Sequence, residues 1–511
     1  MESTERMVSG IELVTVAYGQ PAAQALRDAV AAGKHGDPLA PVSVVVPTNY
    51  VGVAARRMLG SGVLGPVTDR GIGIAGVTFL TVYRVAELLG ASRLAAAARR
   101  PVSTPVLGAA VRGVLTRQPG MFAAVAEHPA TEQALVDAYR ELSQCDNVAL
   151  DRLARAGRRA ADVVRVYRAA RAAHARDWYD ERDLMDTAVA AVRHGSPVLA
   201  DLGAIVLYLP QELSMPGAAL LNTVAEHAPV TVVAGVTGVE RADAGVAAAI
   251  ARLGLGLGLD GSVAITPPHG TEVVSASDPD DEVRAAIRLV MAALVDGVPL
   301  ERMAILYGSA EPYARLVHEQ LEAAGIPHNG AAVRTLAESV LGRSLLALLA
   351  LPDRDFHRHD VMTLLASAPV WFHTRPIPSA RWERISRGAG VVRGATQWHE
   401  RLDAHARALE AQLAEERAVP DREPRPSWYE HELEATRELD AFVAALRDTL
   451  AEGAREGVAW RQLSTWARRI VHEFLAHDSR RVKWPEAEQR AADKVEAALD
   501  RLAGLDAVEP A

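Results

Sequence analysis

The sequence predicts an α/β protein built on a parallel sheet, with a helical insertion, a second α/β segment and a helical carboxy-terminal region. Three observations carry this. Short β-branched runs alternate with helix-like stretches over residues 11–89. Strand signals vanish between 100 and 195 and return near 204. Beyond Ser339 the periodicity is almost wholly helical. The expected division is 1–100 with 196–270 as the first sheet domain and 101–195 as its insertion. Residues 271–350 are the first part of a second α/β domain, and 351–511 form a helical domain. A chain of 511 residues has room for such a set, at roughly 100–200 residues per domain.

The first strand is Ile11–Tyr18, closed by Gly19; Pro21 then suits the first turn of a helix over Ala22–Ala32. Val42–Val46 is valine except for Ser43, as expected of a strand covered on both faces. It runs through Pro47-Thr48-Asn49 into a helix over Val51–Leu59. Gly76–Leu80 is the third strand and Val82–Leu89 its helix. Helices over Glu132–Leu142 and Asp151–Arg176 build the insertion. Strands then follow at Ala204–Leu209, Val230–Ala234 and Val263–Thr266. The second α/β segment reads as strand Thr271–Ala276, helix Asp280–Leu294, strand Met303–Tyr307 and helix Pro312–Ala324. Pro-rich loops at Pro369–Pro378 and Pro420–Pro426 interrupt the helical region, whose charged runs Glu410–Arg417 and Glu430–Arg447 read as solvated faces.

With 49% apolar and 23% charged residues and a mean hydropathy of +0.04, the composition excludes a wholly disordered or collagen-like chain. No apolar run approaches the ~18 residues of a membrane span, and Met1–Gly10 carries no apolar signal core. A cytoplasmic protein without a membrane partner is therefore expected. The single Cys145 excludes an internal disulfide and a thiolate metal cluster. A net charge of −9 gives no global attraction for nucleic acid. The basic residues are arginine except for Lys34, Lys483 and Lys494, so local motifs must decide.

Several strings imitate sites without their context. Gly71-Ile72-Gly73-Ile74-Ala75-Gly76 has dinucleotide-fingerprint spacing, but it precedes a strand instead of joining a strand to a helix. The glycines of Gly254–Gly258 read as a linker. His472 and His477 are five apart, whereas a shared zinc on a helix needs a spacing of four. His357, His359 and Asp360 read equally well as a loop entering a helix. No metal site is expected.

The first strand–turn–helix is the informative place. A phosphate loop there needs glycines, a lysine and a hydroxyl, so that amides cradle phosphate while Lys and Ser/Thr serve the γ-phosphate and Mg²⁺. This chain has Tyr18-Gly19-Gln20-Pro21-Ala22-Ala23-Gln24-Ala25. Gly19, Gln20 and Gln24 are at most the remnant of a nucleotide pocket, and Pro21 removes an amide. The strand that should end in metal-binding carboxylates ends in Tyr208-Leu209-Pro210-Gln211-Glu212, with only Glu212 acidic. No catalytic residue and no cofactor are expected in this chain.

An ordered series of motifs carries a resemblance. Val44–Asn49 followed by Ala55-Arg56-Arg57-Met58-Leu59 resembles the second conserved motif of superfamily 1 helicases. Val77-Thr78-Phe79-Leu80-Thr81-Val82-Tyr83-Arg84 resembles the next, in which a Thr and an aromatic meet single-stranded DNA. Ser277–Arg284, Gly297-Val298-Pro299, Met303–Tyr307, Tyr313–Leu321, Ala324–His328 and Leu341–Leu346 resemble the opening of the second motor domain. Over roughly residues 11–365 the chain is similar to the AddB-type, RecB-like subunits of bacterial helicase–nucleases. The resemblance implies two RecA-like (P-loop NTPase-type) domains, the first with a degenerate phosphate loop. The family's PD-(D/E)xK nuclease residues are not recognisable: Pro352-Asp353-Arg354-Asp355 lacks a following Lys, and Lys483 and Lys494 lie in helical surroundings. The chain therefore reads as an amino-terminal portion without that nuclease. Gly308 also stands where active motors commonly carry an arginine.

The function expected from the resemblance is a non-motor, DNA-binding subunit of a double-strand-break repair complex. It would guide single-stranded or end-frayed DNA beside a motor helicase–nuclease subunit that supplies ATP and Mg²⁺ chemistry. Thr48 and Asn49 would donate to phosphates, with Thr81 in the following motif. Phe79 and Tyr83 would stack on bases, at ~1–3 kcal/mol per base. Arg56 and Arg57 would supply the salt-dependent term. Ordinary roles compete for each: Thr48-Asn49 as a helix cap, Phe79 as core and the arginines as solvated surface. Two other functions stay open, a divergent ATP-dependent helicase and a scaffold that holds a partner motor. The seven tryptophans between Trp371 and Trp484 fit either a core or an interface.

Overall fold

The computed structural model describes residues 6–8, 10–67, 74–257, 270, 272–330, 335–373, 375–418, 428–453, 455, 457–475 and 478–509. The chain divides into two compact units, Met1–His269 with Ala507–Glu509 and Gly270–Asp506 with Pro510–Ala511.

The first unit holds a six-stranded sheet made of β1 (Arg6–Val8), β2 (Ile11–Ala17), β3 (Val42–Val45), β4 (Val77–Leu80), β5 (Ala204–Tyr208) and β6 (Val230–Val236). Its spatial order is β1-β2-β6-β5-β3-β4. All neighbours pair in parallel except β1, which lies antiparallel along the outer edge of β2. Parallel neighbours require crossovers, and helices supply them: α1 (Gln20–Lys34), α2 (Asn49–Gly60), α3 (Val82–Ala96) and, further on, Met215–Ala225. Strand side chains alternate between two cores. Ile11, Leu13, Val45, Ile205, Leu207, Val230 and Val232 join a core with residues of α3 and of the helices Glu181–Arg193, Met215–Ala225 and Glu240–Arg252. Val42, Val44, Val46, Val206, Tyr208 and Val233 join the other, with residues of α1 and α2. Burial on both faces explains the near-continuous valine of β3 and β6.

Lys34, the last residue of α1, is fully buried. Its ammonium donates to the carbonyls of Pro38 and Ala40 at 2.9 and 2.7 Å and to Ala75, joining the entries to β3 and β4. Burial pushes its pKa below the ordinary lysine value.

Between β4 and β5 the chain forms the expected helical insertion: Thr104–Arg117, Pro129–Leu142, Asn147–Arg155, Arg158–His174 and Glu181–Arg193. The expected single helix Asp151–Arg176 is two, separated at Gly157, the residue before the longer one. The insertion encloses a buried polar cluster. The Tyr139 hydroxyl donates to Asp180 at 2.8 Å and lies 2.9 Å from His174 Nε2. Arg171 and Arg99 both reach Asp183. Gly90 of α3 sits where a Cβ would lie 3.0 Å from the Ala188 amide nitrogen, so the absent side chain lets α3 approach Glu181–Arg193.

In the second unit, helices Pro279–Val295 and Tyr313–Ala323 pack through Val283, Ile287, Leu316 and Leu321. The strands expected at Thr271–Ala276 and Met303–Tyr307 are not present: residues 272–276 and 303–307 carry no strand, and Thr271 lies outside the described residues. A strand requires a partner ladder, and among the described residues neither segment has one. Val273 and Leu306 are accordingly 99% and 92% exposed. The expected strand Val263–Thr266 and the loop Pro420–Pro426 also lie outside the described residues.

The remaining helices surround one core in which Trp382 and Trp398 are fully buried and Trp466 and Trp484 pack against it. Trp398 donates to the Phe356 carbonyl at 2.8 Å. These four tryptophans build a core; Trp428 is exposed. The charged runs of this region are not simply solvated. Arg437 pairs with Glu410 and Arg417 with Glu430, while Glu432 is buried beside Arg381 and Arg384. Among the described residues no helix is long and apolar enough to cross a membrane.

Candidate nucleic-acid interface

β3 and β4 are adjacent and parallel, with Val45 opposite Leu80. Their carboxyl ends therefore lie side by side, and each hands the chain to a helix capped by a threonine. Thr48 Oγ1 accepts from the Val51 amide at 3.3 Å, and Thr81 Oγ1 accepts from the Arg84 amide at 3.2 Å. Both residues are extended N-caps. Capping uses the oxygen as an acceptor and leaves each hydroxyl hydrogen available. Two helix amino termini thus open side by side at one edge, a setting that favours negative charge.

The other expected residues sort by exposure. Asn49, Arg56 and Arg57 are exposed, and neither arginine has a carboxylate partner among the described residues. Arg84 is paired with Glu87 at 2.8 Å. Phe79 is half-buried under α2, where the Gly52 position would bring a Cβ within 3.3 Å of Phe79 Cβ, so only part of its ring is accessible. Tyr83 is 38% exposed. Burial pushes its hydroxyl up, and Glu87, Tyr179 and Glu181 add to the shift. Thr48, Asn49, Phe79, Thr81 and Tyr83 all lie at or next to the carboxyl ends of β3 and β4, but on two faces. Phe79 packs with the α1–α2 core, whereas Tyr83 belongs to α3, which packs on the opposite face, and neighbours Glu87, Tyr179 and Glu181. Arg56 and Arg57 lie further along α2. Tyr50, which the motifs of the sequence do not single out, stands at the same edge and is 69% exposed. Its signal is an aromatic directly after Thr-Asn, seven residues before Arg57 and therefore on the same helix face.

The nucleotide remnant has a different geometry. Gly19, with φ +87°, turns the chain from β2 into α1, a conformation that favours glycine. No side chain caps α1, and Pro21 occupies its first turn. Gln20 is exposed and Gln24 half-buried. Side chains meet over the carboxyl ends of β2, β6 and β5. The Tyr18 hydroxyl accepts from Gln211 Nε2, and a Cβ at Gly235 of β6 would lie 3.0 Å from the Tyr18 ring and 2.7 Å from Leu209 Cδ2. Burial pushes the Tyr18 phenol up and Tyr208 up to about 12. Asp243 closes the loop after β6 by accepting from the amides of Thr237 and Gly238 at 2.8 and 2.9 Å. Glu212 is exposed.

The site-like strings of the sequence have local roles where they are described. His357 accepts from the His359 amide at 3.3 Å as the cap of Arg358–Ser367, and Asp360 pairs with Arg354 at 3.2 Å. Gly71–Gly73 and His477 lie outside the described residues. The chain matches no protein-family model and no curated protein.

Proposed function

We propose that the first unit is a RecA-like, helicase-type domain that binds single-stranded DNA without acting as a motor, within an AddB-type repair assembly. The observation that carries this reading is the pairing of an open edge with a filled crevice. At β3 and β4, two threonine-capped helix starts, an exposed Asn49, exposed aromatics and two arginines without a partner among the described residues line one edge. At β2, β6 and β5, the place where an open α/β sheet receives a nucleotide is occupied by Tyr18 and Gln211. Phosphates would be held by Thr48, Thr81 and Asn49, with Arg56 and Arg57 setting the salt dependence. Bases would stack on Tyr83 and the accessible part of Phe79, an interaction that tolerates any sequence. The strand order, with β6 between the β2–α1 turn and the strand ending at Tyr208, is compatible with a RecA-like sheet. ATP and Mg²⁺ belong, on this reading, to a partner motor subunit.

The test is fluorescence anisotropy of a labelled oligothymidine with the whole chain and with Asn49→Ala and Arg56→Gln/Arg57→Gln variants. Saturable binding, weakened in each variant while thermal stability holds, supports the reading. Absence of binding by the unaltered chain would refute it.

A further inference from the structure

We propose that Tyr50 is a base-stacking anchor at the strand-binding edge, an assignment that rests on the single-stranded DNA reading above and extends it to a residue outside the helicase-like motifs. Tyr50 occupies the first turn of α2, one residue after Asn49. Tyr50 is 69% exposed, and it makes no ring contact, hydrogen bond or ion pair among the described residues. Of the other tyrosines of this unit, only Tyr83 is also exposed, at 38%. Tyr139, Tyr167, Tyr179 and Tyr208 are buried, and Tyr18 is bonded to Gln211. A bare aromatic on a helix otherwise tied into the sheet through Gly52, Ala55 and Leu59 is a flat apolar surface left to water.

Its neighbours select the partner. Val53 and Ala54, one turn on, are exposed, and Arg57 two turns on is exposed and unpartnered among the described residues. Tyr50 and Arg57 share one stripe of the helix, about 10.5 Å apart along its axis at ~1.5 Å per residue. Asn49 and Arg56 share the adjacent stripe in the same way. An aromatic face and a polar amide near one end and two cations near the other match an unstacked base with its flanking phosphates. A base stacked on Tyr50 needs no hydrogen bond from the phenol, so Tyr50→Phe and Tyr50→Trp should bind as the parent does.

The experiment compares the whole chain with Tyr50→Ala, Tyr50→Phe and Tyr50→Trp on an oligothymidine of about 25 nucleotides and on the same strand with abasic sites. The expected result is a loss of affinity in Tyr50→Ala of about 5- to 150-fold, corresponding to one base stack removed. Tyr50→Phe and Tyr50→Trp should retain affinity, and the alanine effect should vanish on the abasic strand. Because the ring is exposed, thermal stability should be unchanged and serves as the folding control. If the unaltered chain binds and Tyr50→Ala binds equally well, the assignment is overturned while the DNA reading stands. If the unaltered chain binds no strand at all, both fall together. An equal alanine effect on the abasic strand would also overturn it, because no base would then be involved.

Discussion

The Tyr18 hydroxyl at the end of β2 accepts a hydrogen bond from Gln211 beyond the end of β5, although β6 lies between these strands. The bond passes beside Gly235 of β6, where a Cβ would lie 3.0 Å from the Tyr18 ring. The sequence points to this place by what it lacks, a lysine and a hydroxyl. The structure adds what stands there instead, and two of these residues make the arrangement testable.

Gly235→Ala should destabilise the first unit by about 1–2 kcal/mol, because the new methyl collides with the Tyr18 ring and Leu209 in a packed site. Thermal melting measures the loss. The double variant Gly235→Ala/Tyr18→Ala should recover part of it, as expected of residues that touch. Additive losses would mean that the ring does not occupy the crevice.

Lys34→Met should cost about 3 kcal/mol, since three carbonyls at the entries to β3 and β4 would lose the same buried donor. Chemical denaturation provides the measurement. A cost of only a few tenths of a kcal/mol would contradict the tie.

His174 predicts an acid-sensitive first unit. Tyr139 donates its proton to Asp180, so its oxygen accepts from His174 Nε2–H; Nδ1 is buried without a partner. Burial, the main cause, lowers the His174 pKa. The folded state therefore holds this proton less tightly than the unfolded chain. The associated stability is present above the ordinary histidine value of about 6.5 and is lost as pH falls through the depressed folded value. Melting temperatures taken between pH 8 and pH 5 should fall toward acid, and His174→Gln should flatten that dependence. A parent profile that rises toward acid would contradict it.

Arg56→Gln and Arg57→Gln should each lower the salt slope of single-strand binding, by about 0.7 for each phosphate that is no longer neutralised. The weakening should be the same for different base sequences, and both variants should melt like the parent because the side chains are exposed. An effect confined to one base sequence would contradict a phosphate role.

The legible parts of the fold are those in which one local pattern and one burial pattern agree. Valine runs such as Val42–Val45 and Val230–Val236 are strands because both faces are covered, and Thr48 and Thr81 are caps because each precedes a helical period. Residues 272–276 and 303–307 have similar local composition but no ladder to join among the described residues, and pairing is a property of neighbours that local sequence does not contain. The tryptophans of the helical region are ambiguous in sequence because periodicity alone does not separate a core from an interface; the burial of Trp382 and Trp398 does. At the site, Thr-Asn and the arginines stand out as a motif. Tyr50 does not, because its significance is its exposure. Gln211 likewise acquires meaning only through Tyr18, 193 positions away.

The most direct measurement is a titration of the whole chain with a labelled single strand at low and moderate salt, with and without ATP and Mg²⁺. Saturable binding that weakens as salt rises is expected, with the same Kd whether or not nucleotide is present. A Kd that shifts with ATP, or nucleotide turnover stimulated by the strand, would contradict the filled crevice and restore a motor. A chain that binds no strand under any of these conditions would contradict a DNA-binding edge at β3 and β4 altogether.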